Sequence, residues 1–204
     1  HYTTDDEWAY IRELWQKEEI RGEDTLYWED VQVGYEAPKT CSGPITYMDM
    51  IYWYGARPLT RQQLMDSKTL ETMYRDHLGN YLFETSIHLG TRNHPQGRMV
   101  WYNDTGAKTI YRTITNFIGN KGRVSKFSWR FFPFFKEMQG PTDATEMFNK
   151  VPGMEGRDGE RHGSEGDTCI GRAVVTDKYV TDRGEHCIEI ALWAETLDGE
   201  IVQA

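Results

Sequence analysis

The sequence predicts an α+β fold in which an antiparallel sheet wraps around one central helix, and three observations predict it. The first is a run of apolar residues at helical spacing over about 104–118: Ala107, Ile110, Tyr111, Ile114, Phe117 and Ile118 fall on one face, with Lys108, Thr109, Arg112, Thr113 and Asn116 on the other. The second is a switch to period two just beyond it. Ser125, Phe127, Trp129 and Phe131 alternate with Val124, Lys126, Ser128 and Arg130, as in a strand. The third is a β-rich final third, 169–181 and 186–196, joined by the turn Asp182-Arg183-Gly184. Burying the helix's six apolar side chains is worth about 1.5–3 kcal/mol each, with Ala107 at or below the low end. That makes the helix core.

Each element has its own local reason. Asp104 is expected to cap the central helix, Gly119 to end it, and Asn120-Lys121-Gly122 to turn the chain. Near the start, Thr4-Asp5-Asp6-Glu7 is a capping-box pattern, followed by Trp8, Ile11, Leu14 and Trp15 on one face of a helix expected to stop near Gly22. This helical arm, 1–26, is expected to pack on the body or on a partner subunit. A single domain then spans 27–204, with insertions at about 57–81 and 136–165. Tyr27 to Gly34 reads as a short strand ending in a turn. Gly43-Pro44 breaks the chain before a helix capped by Thr46, with Ile45, Met48, Ile51, Tyr52 and Gly55 at helical spacing. In the first insertion Leu64, Leu70, Met73 and Tyr74 point to helix, and 81–96 reads as polar loop. The second insertion lacks periodicity. Its Gly153-Met154-Glu155-Gly156-Arg157-Asp158-Gly159 run has neither the preceding strand nor the following apolar helix of a phosphate loop, so it reads as a mobile surface segment. Asp198-Gly199 is the strongest hairpin signal, and the strand 201–204 that follows is expected to continue beyond the given sequence.

Composition bounds the function. The chain has 204 residues and a net charge of −9, which argues against a general nucleic-acid binder. Cys41, Cys169 and Cys187 are odd in number and lack metal-ligand spacing, so reduced thiols in a cytoplasmic protein are expected. There is no apolar run of about 18 residues, and no secretory leader is visible; no membrane partner is expected. Aromatic residues make up 13% of the chain, including seven tryptophans and twelve tyrosines, material for a large apolar pocket or a subunit interface.

Five stretches carry a family resemblance: Tyr27 to Gly34 (YWEDVQVG), Gly43 to Asp49 (GPITYMD), Arg112 to Asn120 (RTITNFIGN), the segment through Arg130-Phe131, and Gly166-Asp167-Thr168 before the next strand. In their order and spacing the chain resembles the MaoC-like branch of the hot-dog fold, the enoyl-CoA hydratases and acyl dehydratases. Active members of that family carry Gly-Asp-x-Asn-Pro-x-His in the loop before the central helix. Here the nearest match is Glu84-Thr85-Ser86-Ile87-His88, with Glu in place of Asp, one residue nearer the His, and no Asn-Pro. The resemblance implies His88 in the catalytic position with Glu84 as its acidic partner. His94, Asp104 and Tyr102 are further candidates.

Hydration of an enoyl thioester needs a base for water, an acid for the α-carbon, and donors for charge building on the thioester oxygen. Unpaired N–H groups at the central helix's start, Asn103 to Gly106, suit the last role, and Gly106 lets a thioester approach the backbone. Trp101, with Trp129, Phe132 and Phe134, is a candidate wall of an acyl tunnel for a bulky or aromatic group. Arg112 and Lys108 are candidate phosphate contacts, set against a salt-bridged or solvated face. His88 is weighed against a loop histidine bonded to backbone, and Glu84 against an exposed carboxylate. His88 and His94, six apart, lack metal-site spacing, and His162 is expected to be solvated; neither a metal nor a cofactor is expected. The implied partner is an acyl-CoA or carrier-protein thioester, with a homodimer or a second hot-dog subunit completing the pocket. Two alternatives stand beside the hydratase: a non-catalytic subunit of a heteromeric hydratase, and a thioesterase using Asp104.

Overall fold

The computed structural model describes residues 3–46, 49, 74–75, 81–82, 103–128, 143–159 and 163–203. Helix α1 is Asp5–Gln16. Strand β1 is Thr40–Ser42, β2 Tyr74–Arg75 and β3 Tyr81–Leu82. Helix α2 is Asn103–Ile118, α3 Asp143–Phe148, and strands β4, β5 and β6 are Cys169–Val180, His186–Glu195 and Ile201–Gln203. The result is an α+β fold: an antiparallel four-stranded sheet, ordered β1-β4-β5-β6, packed against a helix.

Period-two alternation in β4 and β5 sorts the side chains between two faces. Cys169, Ala173, Val175, Leu192 and Ala194 join Ile110, Ile114 and Phe117 of α2 in one buried cluster, with Ile188 and Ile190 packed against it. The expected face of β5, Ile188-Ile190-Leu192-Ala194, is thus the one that meets the helix. The Asp198-Gly199 hairpin also forms, with Gly199 N–H donating to the Thr196 carbonyl at 3.0 Å. Val174, Ala191 and Trp193 point to the opposite face and pack on Phe148 and Val151.

That second cluster corrects an expectation. The described part of 136–165 is no loose surface loop: Phe148 is wholly buried, and Arg157 Nη2 reaches the Gly199 carbonyl at 2.8 Å. Six helical residues are too few to show a period, so the sequence hid a core element.

The central helix is also rotated from expectation. Ala107, Ile110, Ile114 and Phe117 are buried, but Tyr111 is 44% exposed, while Thr109 and Thr113 from the supposed polar face are buried. The cause is Gly171 of β4. A Cβ there would stand 2.2 Å from Thr113 Oγ1 and 2.6 Å from Thr40 Oγ1, so the missing side chain lets the threonine face of α2 press onto the sheet. The hydroxyls satisfy one another: Thr113 Oγ1 donates to the Thr109 carbonyl at 3.0 Å, and Thr40 Oγ1 lies 2.7 Å from Thr113 Oγ1. Asp104 lies one residue inside the start of α2 rather than before it, so it is a first-turn residue and not the expected cap.

Other local corrections have equally physical causes. The capping box forms as expected, with Glu7 N–H on Thr4 Oγ1 and Thr4 N–H on Glu7 Oε2. Helix α1 nevertheless ends at Gln16, well before Gly22. Beyond it Glu18 accepts from Arg112 and Asn116, Arg21 Nε donates to the Phe117 carbonyl at 2.7 Å, and Asn120 N–H donates to the Gly22 carbonyl at 2.7 Å. The segment leaves helix in order to lace onto the carboxyl end of α2, whose last carbonyls lack partners within the helix. Tyr27 to Gly34 holds a short 3-10 helix, Trp28–Asp30, rather than a strand. Trp28 Nε1 reaches back to the Cys187 carbonyl at 2.9 Å and fixes it there. No strand forms over 122–128, where Val124 and Phe127 both pack against the α2 cluster instead of alternating. Tyr74 and Tyr81, read as helix and loop, pair as short strands, since Arg75 meets Tyr81 in antiparallel register.

Candidate functional site

The amino-terminal half of α2 opens on a cleft of about 400 Å³ between α1, β1 and the Gly43-Pro44 turn. Two of the resembling stretches build it together. Ile45 N–H donates to the Asp167 carbonyl at 2.9 Å, and Gly166 N–H donates to the Ile45 carbonyl at 2.8 Å, so the Gly-Pro turn and the Gly-Asp-Thr turn are laced into one unit. Gly43 is required at that join. Its φ is +108°, and a Cβ would meet Ile45 N at 2.7 Å and the Asp167 carbonyl at 3.0 Å. Thr46 and Asp49 reproduce a capping box, Asp49 Oδ2 accepting from Thr46 N at 2.7 Å and from Thr46 Oγ1 at 2.6 Å.

The cleft's chemistry is mixed. Ser42 and Thr109 line it and are bonded to each other at 3.0 Å. Lys108 lines it with an exposed side chain, Asp49 contributes a carboxylate, and Trp8 and Trp15 of α1 supply apolar surface. The arm expected over 1–26 therefore docks on the body through Ile11 and Leu14, which pack on Cys41 and Ile170, and it also borders the cleft. Sequence reasoning placed Lys108 near the site but passed over Ser42, Asp49 and the two tryptophans. The signal for the last was available: Trp8 and Trp15 share the face of α1 that carries Ile11 and Leu14.

Among the sequence-nominated residues, Glu84, His88, His94, Trp101 and Tyr102 lie outside the described residues, as do Trp129, Phe132, Phe134 and His162. Asn103 and Asp104 stand in the first turn of α2, and Gly106 is buried in that helix. Arg112 is engaged by the protein itself. Its Nη2 donates to the Cys41 carbonyl at 2.8 Å and to Glu18 Oε2 at 3.2 Å, and its Nε lies 3.2 Å from Glu18 Oε1. The pair ties the segment after α1 to α2 and β1, the salt-bridged alternative weighed for this residue. The one imidazole among the described residues, His186, faces Val180 at the end of the β4–β5 ladder remote from the cleft.

The thiols near the cleft are held inert. Burial pushes Cys169 from 9.0 up to about 12 and Cys41 up to about 11, far from a reactive thiolate at neutral pH. A raised folded-state value for an acid that ionises to an anion means that the folded chain keeps protons the unfolded chain has lost. Stability attributable to these groups is full below about 9 and lost as the pH climbs toward 11–12. Alkaline denaturation should therefore steepen above pH 9 and become shallower in a Cys169→Ala variant, read by urea midpoints across pH 8–11. An unchanged slope would show that the thiols are not buried as described.

Among the described residues no group of three or more His, Cys, Asp or Glu gathers to hold a metal, and no helix is long and apolar enough to cross a membrane.

With that geometry in place, the comparisons assign the chain to no family. No family model matches the chain, and no curated protein matches it. A solved structure described as a monoamine oxidase regulatory protein from Archaeoglobus fulgius is similar at 13% identity, over 88% of this chain and 89% of that one, with a TM-score of 0.47.

Proposed function

We propose that the chain is a hot-dog protein of the MaoC-like kind, which adds water to, or removes it from, an α,β-unsaturated acyl thioester. The single observation supporting this reading is the cleft of about 400 Å³ bordered by Lys108 and Thr109 in the first half of the core helix, within about a turn of the helix start whose unpaired N–H groups could receive a carbonyl oxygen. On this reading His88 takes the proton from water, Glu84 orients it, and the backbone from Asn103 to Gly106 stabilises the enolate-like oxygen. Asp104, Tyr102 and His94 are the reserve candidates for placing water or the thioester carbonyl. Of the two candidate phosphate contacts, Lys108 lines the cleft and Arg112 does not, so Lys108 is the nearer to an anionic part of a bound substrate.

A second reading is favoured by one sequence fact. The Glu84–His88 stretch lacks the family's Asn-Pro and its Asp spacing, as a non-catalytic subunit shaping a partner's pocket would. The experiment is to incubate the purified chain with crotonyl- and cinnamoyl-CoA and follow loss of the enoyl absorbance and release of free thiol. Hydration by the chain alone supports the hydratase. Inertness relieved by a second hot-dog subunit supports the non-catalytic reading, and thiol release supports the thioesterase. Inertness in every arm would discard all three.

A further inference from the structure

We propose that helix α1 is a lid on the cleft, hinged at Lys17, between the end of the helix and a strap over 18–22 that stays bound to α2. The lid follows from how the arm is anchored and does not depend on the hydratase reading.

The two parts of the arm are held by different forces. Ile11 and Leu14 are the buried residues of α1, and with Trp8 they pack on Cys41, Ile170 and Leu197, a small cluster separate from the two that hold the sheet's faces. The Trp15 indole N–H adds a bond to the Cys41 thiol. Among the described residues no backbone hydrogen bond joins 5–16 to the body. The strap is held by backbone and charge instead. Glu18 is ion-paired with Arg112 and accepts from Asn116, while Arg21 N–H donates to the Asn116 carbonyl at 3.1 Å and the Gly22 carbonyl accepts from Asn120 N–H at 2.7 Å. Lys17 belongs to neither grip: its N–H closes the helix on the Glu13 carbonyl at 3.0 Å, and its ammonium turns back to the Glu13 carboxylate. Segments held by few buried apolar contacts open at lower free energy than segments laced to the core, so the arm parts at Lys17.

Position makes that opening a gate. Trp8 and Trp15 are the share of α1 in the cleft lining, with Ser42 of β1, the Gly43-Pro44 turn and Lys108 and Thr109 of α2 among the rest, so undocking α1 removes one wall. The same motion uncovers Cys41, which is buried against α1, and leaves Cys169 covered in the α2 cluster.

The test is alkylation of the full chain with dilute N-ethylmaleimide at pH 8, initial rates being read for each cysteine by peptide mass spectrometry. The partly exposed Cys187 is the fast control. Cys41 should react at least tenfold faster than Cys169, and Leu14→Ala should speed Cys41 at least tenfold. Phe148→Ala, in a cluster that stays packed when the lid alone opens, should speed Cys169 at least tenfold and leave Cys41 unchanged. Hydrogen exchange should show the amides of 11–16 exchanging at least tenfold faster, after correction for intrinsic rates, than those of Arg21 and Asn120. Equal rates for Cys41 and Cys169, equal acceleration of both by Phe148→Ala, or exchange of helix and strap together would overturn the lid, because each means that α1 leaves only with a larger unit. Indifference of Cys41 to Leu14→Ala would overturn it too, since docking would then not hold the lid shut.

Discussion

Phe148→Ala is expected to destabilise the protein by about 3–5 kcal/mol, the usual cost of emptying a buried phenylalanine site. The ring is wholly buried and meets Trp193 edge-to-face at 5.8 Å, with Val151, Val174, Ala191 and Ile201 around it. Collapse into the hole is opposed on the sheet side. Trp193 is fixed by Nε1 donating to Glu195 Oε2 at 3.0 Å, and Arg172 lies over its ring at 5.3 Å with Nη1 bonded to Glu195 Oε1. In a chain of 204 residues each kcal/mol moves the melting temperature by about 2–4 °C, so a fall of roughly 6–20 °C is expected. Glu146→Ala, on the exposed side of the same short helix, should stay within about 0.5 kcal/mol. If Phe148→Ala behaved like Glu146→Ala, the segment would be a surface insertion after all and the sheet would have a single covered face.

Gly171→Ala is the second large effect, by overpacking rather than by a cavity. The new methyl group would collide with Thr113 Oγ1 and Thr40 Oγ1 and come within 3.2 Å of the Thr109 carbonyl, so α2 must lift from the sheet or two buried hydroxyls must rotate off their partners. About 1–3 kcal/mol is expected, a drop of roughly 2–12 °C. Thr113→Ala in the same chain should return part of it, because it vacates the closest contact and leaves Thr40 Oγ1 able to donate to the Thr109 carbonyl at 3.3 Å. Non-additivity of about 0.5–3 kcal/mol in the double-mutant cycle is the signature sought. Strict additivity would mean that helix and sheet do not meet at this glycine. The consequence reaches the cleft as well, since Thr109 Oγ1 is bonded to Ser42 Oγ on its wall.

The two substitutions mark where sequence reading succeeded and where it failed. The long helix around Ile110 and Ile114 and the β4–β5–β6 hairpins were legible because their periods run for many residues and their turns carry Gly at φ near +78°. Helix α3 was illegible because its hydrophobic payload is Phe148 with Val151 just beyond the helix, and two residues define no period. The burial of Thr109 and Thr113 was illegible for another reason. A threonine reads as polar until a glycine on a different strand, far away in sequence, makes a place for it. Tyr27 to Gly34 shows the same override: aromatic and β-branched residues favour strand, yet Trp28 is fixed by the Cys187 carbonyl and by Lys178 over its ring at 4.2 Å. At the candidate site, Glu84 and His88 are nominated by resemblance to a family motif and lie outside the described residues, whereas Trp8, Trp15, Ser42 and Asp49 come from three separate stretches that no spacing rule connects.

By itself, then, the sequence determined the antiparallel hairpins, the core helix with its Ile110–Phe117 stripe, the capped first helix and the break at Gly43-Pro44, each of them encoded by neighbours within a few turns or a few residues. Tertiary structure alone decided how α2 is rotated, that both sheet faces are covered, that Glu18 and Arg21 finish the carboxyl end of α2, and that two tryptophans of α1 border the cleft. Those outcomes depend on which distant surfaces fit. A missing Cβ at Gly171, an ion pair between Glu18 and Arg112, and a ring seated on Trp193 are complementarities between segments, and they exist only once the segments meet.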